Sequence, residues 1–442
     1  MSKQRIQLSD HFTYSRLLRF VLPCIGTMLF TSIYGIVDGL CVSNFVGKTA
    51  FAAVNLIMPL PMLLGTIGFM LGTGGSAIVG ITLGEGDQKK ADRYFTLFLL
   101  AALVSVSVLA VLGIVFLRPI AVLLGAKGEL LDYAVRYGRI LMVSLPTFAL
   151  QNMFQSFFVT AEKPHLGFWF TVGAGCTNMV LDVLMVGIWG WGVEGAAIAT
   201  FISQLVGGVL PVFYFIDRSN SSRLHLCKTS FYSKVLRDAC INGSSELMTN
   251  LSMSLVNILY NYQLLRLAGE NGVAAYGVIM YAAFLFVAVF VGYAVGSAPI
   301  VSFHYGARNH AEVHNLYRKS LRLIAVVAVT LTLASMFIIP CVARIFVGYD
   351  AELLALTSRA FRLYALSFLI MGFNVYASSF FTALGDGVTS ALISFLRTLA
   401  FQVIAILLLP LLLGIDGIWL AVTAAELAAL AVSAAMLLTK DK

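Results

Sequence analysis

The chain has 442 residues, of which 60% are hydrophobic and 11% charged, and its mean hydropathy is +0.91. A soluble domain carries roughly a quarter charged residues, so the composition argues against one and points to an all-α integral membrane protein. Twenty-nine Lys and Arg against 21 Asp and Glu leave a net charge of +8, spread over short loops between apolar segments. That is a membrane-orientation signal rather than a nucleic-acid surface.

The first twenty residues, MSKQRIQLSDHFTYSRLLRF, are polar and basic and lack an apolar stretch ending in a small-residue cleavage site. They do not read as a signal peptide, and the chain is expected to start in the cytoplasm. Apolar stretches then follow near 17–41, 51–81, 94–117, 133–159, 165–189, 192–216, 236–266, 273–302, 317–345, 358–383, 387–413 and 416–438. Each exceeds the roughly 20 residues that a helix needs to cross hydrocarbon, which gives twelve spans. With the N-terminus inside, nineteen Lys and Arg fall on the inner side and nine on the outer, while Arg397 lies within span 11. Both termini are therefore expected on the cytoplasmic side of a bacterial plasma membrane.

Adding 222 to a residue number in the first half lands on a similar residue in the second, without drift: Ser32/Ser254, Gly47/Gly269, Gly74/Gly296, Gly84/Gly306, Thr160/Thr382 and Gly195/Gly417. Six spans per half give both copies the same orientation. The pattern is that of a parallel repeat about an axis along the membrane normal, with a substrate site between the halves. The joint is the polar, serine-rich DRSNSSRLHLCKTS (217–230), so the expected lobes are 1–219 and 220–442 with a cytoplasmic linker at about 217–235.

Several features carry little chemistry. The six cysteines form no CxxC pair and read as small hydrophobes. LGTGGSAIVG (71–80) lies inside a span with no following Lys and suits close helix packing, not phosphate. His304, His310 and His314 read as solvated loop residues. LGEGDQKKADRYF and YGARNHAEVHNLYRKS are expected to lie along the inner membrane surface as amphipathic segments. No catalytic constellation or ATP motif appears, so the protein is not expected to be an enzyme, and its energy would come from an ion gradient.

YGIVDGLCVSNFVGKTAFAAVNLIMPL, LGEGDQKKADRYF and TNMVLDVLMVGIWGWGVEGAAIAT, with AAYGVIMY, YGARNHAEV and TALGDGVTSALISFLRT in the second half, resemble the MATE (multidrug and toxic compound extrusion) transporters of the MOP flippase superfamily. The resemblance covers nearly the whole chain. It implies two six-helix lobes around a V-shaped cleft.

The repeat separates scaffold from function, because residues needed to fold both halves tend to recur. Asp38 stands opposite Tyr260, Asn178 opposite Ala400, Asp182 opposite Ile404 and Thr200 opposite Val422. Asn178 and Asp182 share one helix face. A charge at mid-membrane depth costs about 2.5–3.5 kcal/mol on insertion scales, so two in one lobe need partners or a task. By resemblance, Asp38, Asn178, Asp182 and Thr200 are the cation-binding and coupling residues. Their oxygens suit sodium, and a crowded carboxylate pair also suits a proton. Polar cross-helix bonding without any ion is the alternative. Pro23, opposite Ser245, is a helix-bending candidate, although it lies about 22 Å along a straight helix from Asp38.

Glu246, Tyr260, Arg397 and Glu426 rank lower, with structural and substrate roles both open; Arg397 is a candidate partner for Glu426. A span 7 acid that is functional in some MATE branches is replaced here by Ser254. The expected function is a secondary antiporter, without cofactor, that exports amphipathic or cationic organic compounds in exchange for Na+ or H+. It would act as a monomer in the bilayer. A flippase for lipid-linked or polysaccharide precursors is the alternative.

Overall fold

The computed structural model describes residues 6–46, 48–348 and 350–440, and all regular structure among them is helical. The first lobe contains α1 (Tyr14–Phe45), α2 (Lys48–Ile57), α3 (Pro59–Gly84), α4 (Gln88–Leu123), α5 (Glu129–Thr160), α6 (Pro164–Asp182), α7 (Gly192–Gln204) and α8 (Leu210–Ile216). The short α9 (Ser233–Asn242) leads into α10 (Ser244–Gly306), which is two spans meeting at Gly269. The second lobe continues with α11 (His310–Val347), α12 (Ala351–Ala365), α13 (Phe368–Ala383), α14 (Gly387–Phe395), α15 (Phe401–Leu413) and α16 (Ile415–Lys440).

Among the described residues, nine helices are long and apolar enough to cross a membrane, and α12 with α13 makes a tenth span bent by 46°. Division of α10 at Gly269 adds one, and the more polar α5 completes twelve. Helices are the form that such a chain must take, because every backbone amide in hydrocarbon needs a partner within its own segment. Three spans contain a π-helical stretch: Val183–Ile188 continues α6, Leu205–Val209 joins α7 to α8, and Leu396–Ala400 joins α14 to α15.

The lobes meet along α1 and α3 on one side and α10 on the other. A Cβ on Gly84 would run into the Phe303 carbonyl oxygen, and one on Gly306 into that of Ile81. Residues 81 and 303, like 84 and 306, are 222 apart. The contact is thus reciprocal, as a two-fold relation between lobes requires. Higher in the same seam, Gly292 lies against the Ile25 backbone and Gly296 against Val21 and Cys24. Helices packed this closely at small residues close one end of the molecule, the end that carries the 85–87 and 307–309 turns.

Some expectations change. The offset does drift: α5 ends at Thr160 and α13 at Ala383, and the left-handed turn residues are Glu162 and Gly385, so 223 holds there before Gly192 and Gly414 restore 222. The two polar segments expected on the membrane surface are instead tight turns entering long helices, capped by Asp87 on the Lys90 amide and by Asn309 on that of Glu312. The stretch expected to begin span 7 at 236 is mostly α9, separated from α10 at Gly243, which packs against Met70. His304 is buried, with its ring edge-on to Phe12. Cys176 and Cys341 are exposed on the apolar exterior while Cys24 is buried; the Cys41 side chain lies outside the described residues.

Residues 217–232 are stitched along α4. The His225 amide donates to Asp92 (3.0 Å) and that of Cys227 to Thr96 (3.1 Å), while Thr229 donates to the Arg93 carbonyl (2.8 Å). The N-terminal segment also forms a strap. The Leu8 amide donates to Glu162 (2.9 Å) in the first lobe. The Phe12 amide donates to Glu312 (2.9 Å) in the second, where His11 Nδ1 sits 2.6 Å from the other carboxylate oxygen.

Candidate functional site

The first-lobe site is built by α1, α5 and α6. Asp182 is the last α-helical residue of α6 and has no exposed surface; Asn178, one turn earlier, is 2% exposed. Asp38, on α1, faces Asp182 within hydrogen-bonding reach. Ionised carboxylates only accept, so the two can bond only through a shared proton or around a cation. Neither Asp182 oxygen has a donor, and one Asp38 oxygen and the Asn178 Nδ2 also lack partners. Buried polar groups left this way are uncommon and call for an explanation.

Thr200 lies on α7, which packs against both α6 and α1, and its hydroxyl donates to the Ala196 carbonyl (3.0 Å). That leaves its lone pairs open, with no direct bond to the carboxylates. Three groups that sequence reasoning missed complete the surroundings. Tyr137 of α5 is buried beside both carboxylates with its hydroxyl unpartnered. Tyr34 lies beside Asp38 and bonds the buried Gln151 side chain. Their repeat counterparts are Arg359, Val256 and Phe373, so the comparison that isolated Asp38 would also have exposed Tyr34 and Gln151. The π-helical turn begins directly after Asp182; such turns widen the helix and re-aim the side chains beside them. Pro23 does not interrupt α1, and the Thr27 hydroxyl donates to its carbonyl (2.9 Å).

A second centre lies between the lobes, in a cavity of about 560 Å³ lined by α1, α3 and α5 from the first lobe and by α10, α12, α13, α16 and the α14–α15 span from the second. Thr31, Ser32, Thr73 and Ser76 supply hydroxyls from one side, while Tyr260, Tyr276 and Tyr364 form an aromatic wall opposite. Tyr260 and Tyr276 stack at 4.9 Å, and the Tyr260 hydroxyl donates to Ile418 (3.3 Å). The charged lining consists of Glu246, Arg397 and Glu426. Arg397 Nη1 is 3.8 Å from Glu426 Oε1, with both side chains largely buried. Asn374 donates to Glu426 Oε2 (2.7 Å) and is itself held by Ser433 (3.0 Å). None of Asp38, Asn178, Asp182 and Thr200 lines this cavity.

The chain's two six-helix halves also match known proteins in sequence and in fold. The MatE family model fits the chain twice, over residues 23–184 and 247–408. The chain belongs to the MATE family. Among curated MATE relatives, Multidrug export protein MepA of Staphylococcus saprophyticus is 21% identical over 97% of this chain and 94% of its own length. The Staphylococcus aureus MepA is 22% identical with the same coverage. A solved multidrug resistance MATE transporter of the MOP superfamily, in an outward-facing conformation, superposes with a TM-score of 0.91 at 23% identity over 98% of this chain and 97% of that one. The MATE fold accounts for both lobes.

Proposed function

We propose that this MATE protein is a multidrug efflux antiporter that exports amphipathic, mostly cationic organic compounds in exchange for Na+ or H+. The observation that carries the reading is the separation of two charged centres within one membrane-spanning chain. The Asp38–Asp182 pair is enclosed in the first lobe, while the aromatic cavity with its excess of carboxylate lies between the lobes. The naming of the staphylococcal relatives as multidrug export proteins supports it. Two carboxylates and one guanidinium leave the cavity net negative, which disfavours a pyrophosphate-bearing flippase substrate.

The coupling ion is a substrate of the first-lobe site. Asp38 and Asp182 repel each other in a low-dielectric setting unless one proton or one cation lies between them. Asp38 is on α1 and Asp182 on α6, so neutralisation favours the arrangement in which these helices approach. Because the drug binds elsewhere, exchange works through differential affinity of the two lobe arrangements for ion and drug, not through competition for one carboxylate. The close seam of α1 and α3 with α10 closes one end. With both termini cytoplasmic in a bacterial plasma membrane, that end is the inner one, and the state is outward-facing. The protein needs no resident cofactor and acts as a monomer.

Ethidium efflux from cells carrying wild type, Asp38→Asn or Asp182→Asn, with and without sodium at several pH values, tests the reading. Each substitution should abolish concentrative export while the protein still reaches the membrane. Undiminished export in both variants would sink the coupling role. Export that needs a pH gradient but no sodium would assign the proton.

A further inference from the structure

We propose that Arg397 is a built-in counter-ion that sets how many charges the cavity accepts, so that the cavity selects an aromatic monocation over a dication. This rests on the export reading above and deepens it.

The argument begins with a count. Glu246, Arg397 and Glu426 are the charged side chains that line the cavity, and guanidinium stays protonated in proteins. With both carboxylates ionised, the cavity is one positive charge short. Glu426 is already committed, with one oxygen taken by Asn374 and the other facing Arg397 at 3.8 Å. Glu246, in the first turn of α10, forms no ion pair among the described residues; the charge it feels is that of Arg397. The Arg397 side chain is 11% exposed and its Nε is buried without a partner. At 3.8 Å it lies too far from Glu426 for a direct hydrogen bond, so its pairing with that acid is not locked, and its charge is felt at Glu246 as well.

The repeat separates the fixed part from the added part. Asn374 and Glu426 stand opposite the polar Asn152 and Gln204, whereas Glu246 stands opposite Cys24 and Arg397, where the offset is 223, opposite Ala174. Ala174 is buried without exposed surface and carries no charge. In the second lobe the π-helical turn Leu396–Ala400 carries the guanidinium. A monocation would bring its charge to Glu246, while Arg397 settles on Glu426. A second positive charge would meet Arg397 with no remaining carboxylate to balance it.

Ethidium and propidium share one aromatic core and differ by one positive charge, so their binding ratio on the purified full chain in detergent micelles reads this directly. Wild type should prefer ethidium. Arg397→Gln should move the ratio toward propidium on the order of tenfold, and Arg397→Lys should keep the wild-type ratio. Glu246→Gln, which leaves Arg397 and Glu426 balanced, should weaken ethidium on the order of tenfold without favouring propidium. The double variant Arg397→Gln with Glu426→Gln again leaves one negative charge and should restore the wild-type ratio. It also removes the unpaired buried acid that could unfold the single variant. A ratio unmoved in folded Arg397→Gln, or ethidium affinity unmoved in Glu246→Gln, overturns this inference alone. A wild type that neither binds nor exports either dye overturns the export reading with it.

Discussion

Tyr137 has a buried hydroxyl with no hydrogen-bond partner, placed beside two carboxylates that themselves lack donors. A group that contributes no bond to the fold can be removed cheaply, so Tyr137→Phe should change thermal stability by under about 1 kcal/mol. If its hydroxyl takes part when an ion arrives, the same variant should shift the sodium or proton concentration giving half-maximal ethidium efflux. An unchanged ion dependence would reduce Tyr137 to packing. Asp38, Asn178 and Asp182 were legible in the sequence because a charge or amide in an apolar run stands out, and more so against an apolar counterpart. Tyr137 was not, because its counterpart is the charged Arg359 and its approach to the pair depends on how α5 crosses α1 and α6. Gln151 and Tyr34 were within reach of the same comparison, yet nothing in their spacing says that they bond to each other.

The N-terminal strap shows what composition conceals about an element. Its residues read as a polar, basic arm, yet Leu8 and Phe12 have no exposed surface. Burial of side chains this size contributes about 1.5–3 kcal/mol each. Glu312 fixes the strap by accepting from the Phe12 amide, His11 and Asn315 (2.9, 2.6 and 2.9 Å), and Lys319 donates to the Phe12 carbonyl (2.6 Å). Bonds to a charged group are worth about 1.5–3 kcal/mol, so Glu312→Gln should loosen the strap without disturbing the transmembrane helices. Limited proteolysis should then clip the N-terminal segment faster than in wild type, with the rest of the chain still protected. Equal cleavage rates would show that the two buried side chains alone hold it. Twelve spans were readable because hydrophobic length is a direct physical requirement of the bilayer. The π-helical turns at Asp182 and Arg397 were not, since one extra residue in a turn leaves no mark in composition.

At the scale of the whole molecule, the repeat offset was visible in paired glycines, but its consequence lay in contacts more than 200 residues apart. Gly84 and Gly306 each press on the backbone carbonyl next to the other, at the narrow end where the lobes touch. A side chain at either position must push α3 and α10 apart, because backbone cannot yield as a flexible side chain can. Gly84→Val and Gly306→Val should therefore open this end and favour the opposite-facing arrangement. Ser302 is buried in the seam beside Gly80, so a cysteine placed there in a cysteine-free background reports on it. The expected outcome is faster labelling of that cysteine by a membrane-impermeant maleimide applied from the seam side, together with slower ethidium efflux. The double variant should add little to either single one, since both relieve the same contact and neighbouring changes do not add. Labelling that stays at the wild-type rate in both single variants would mean that the seam is held elsewhere, along Gly292 and Gly296. An additive double variant would mean that the two glycines close independently, against the reciprocal packing that the 222-residue offset describes.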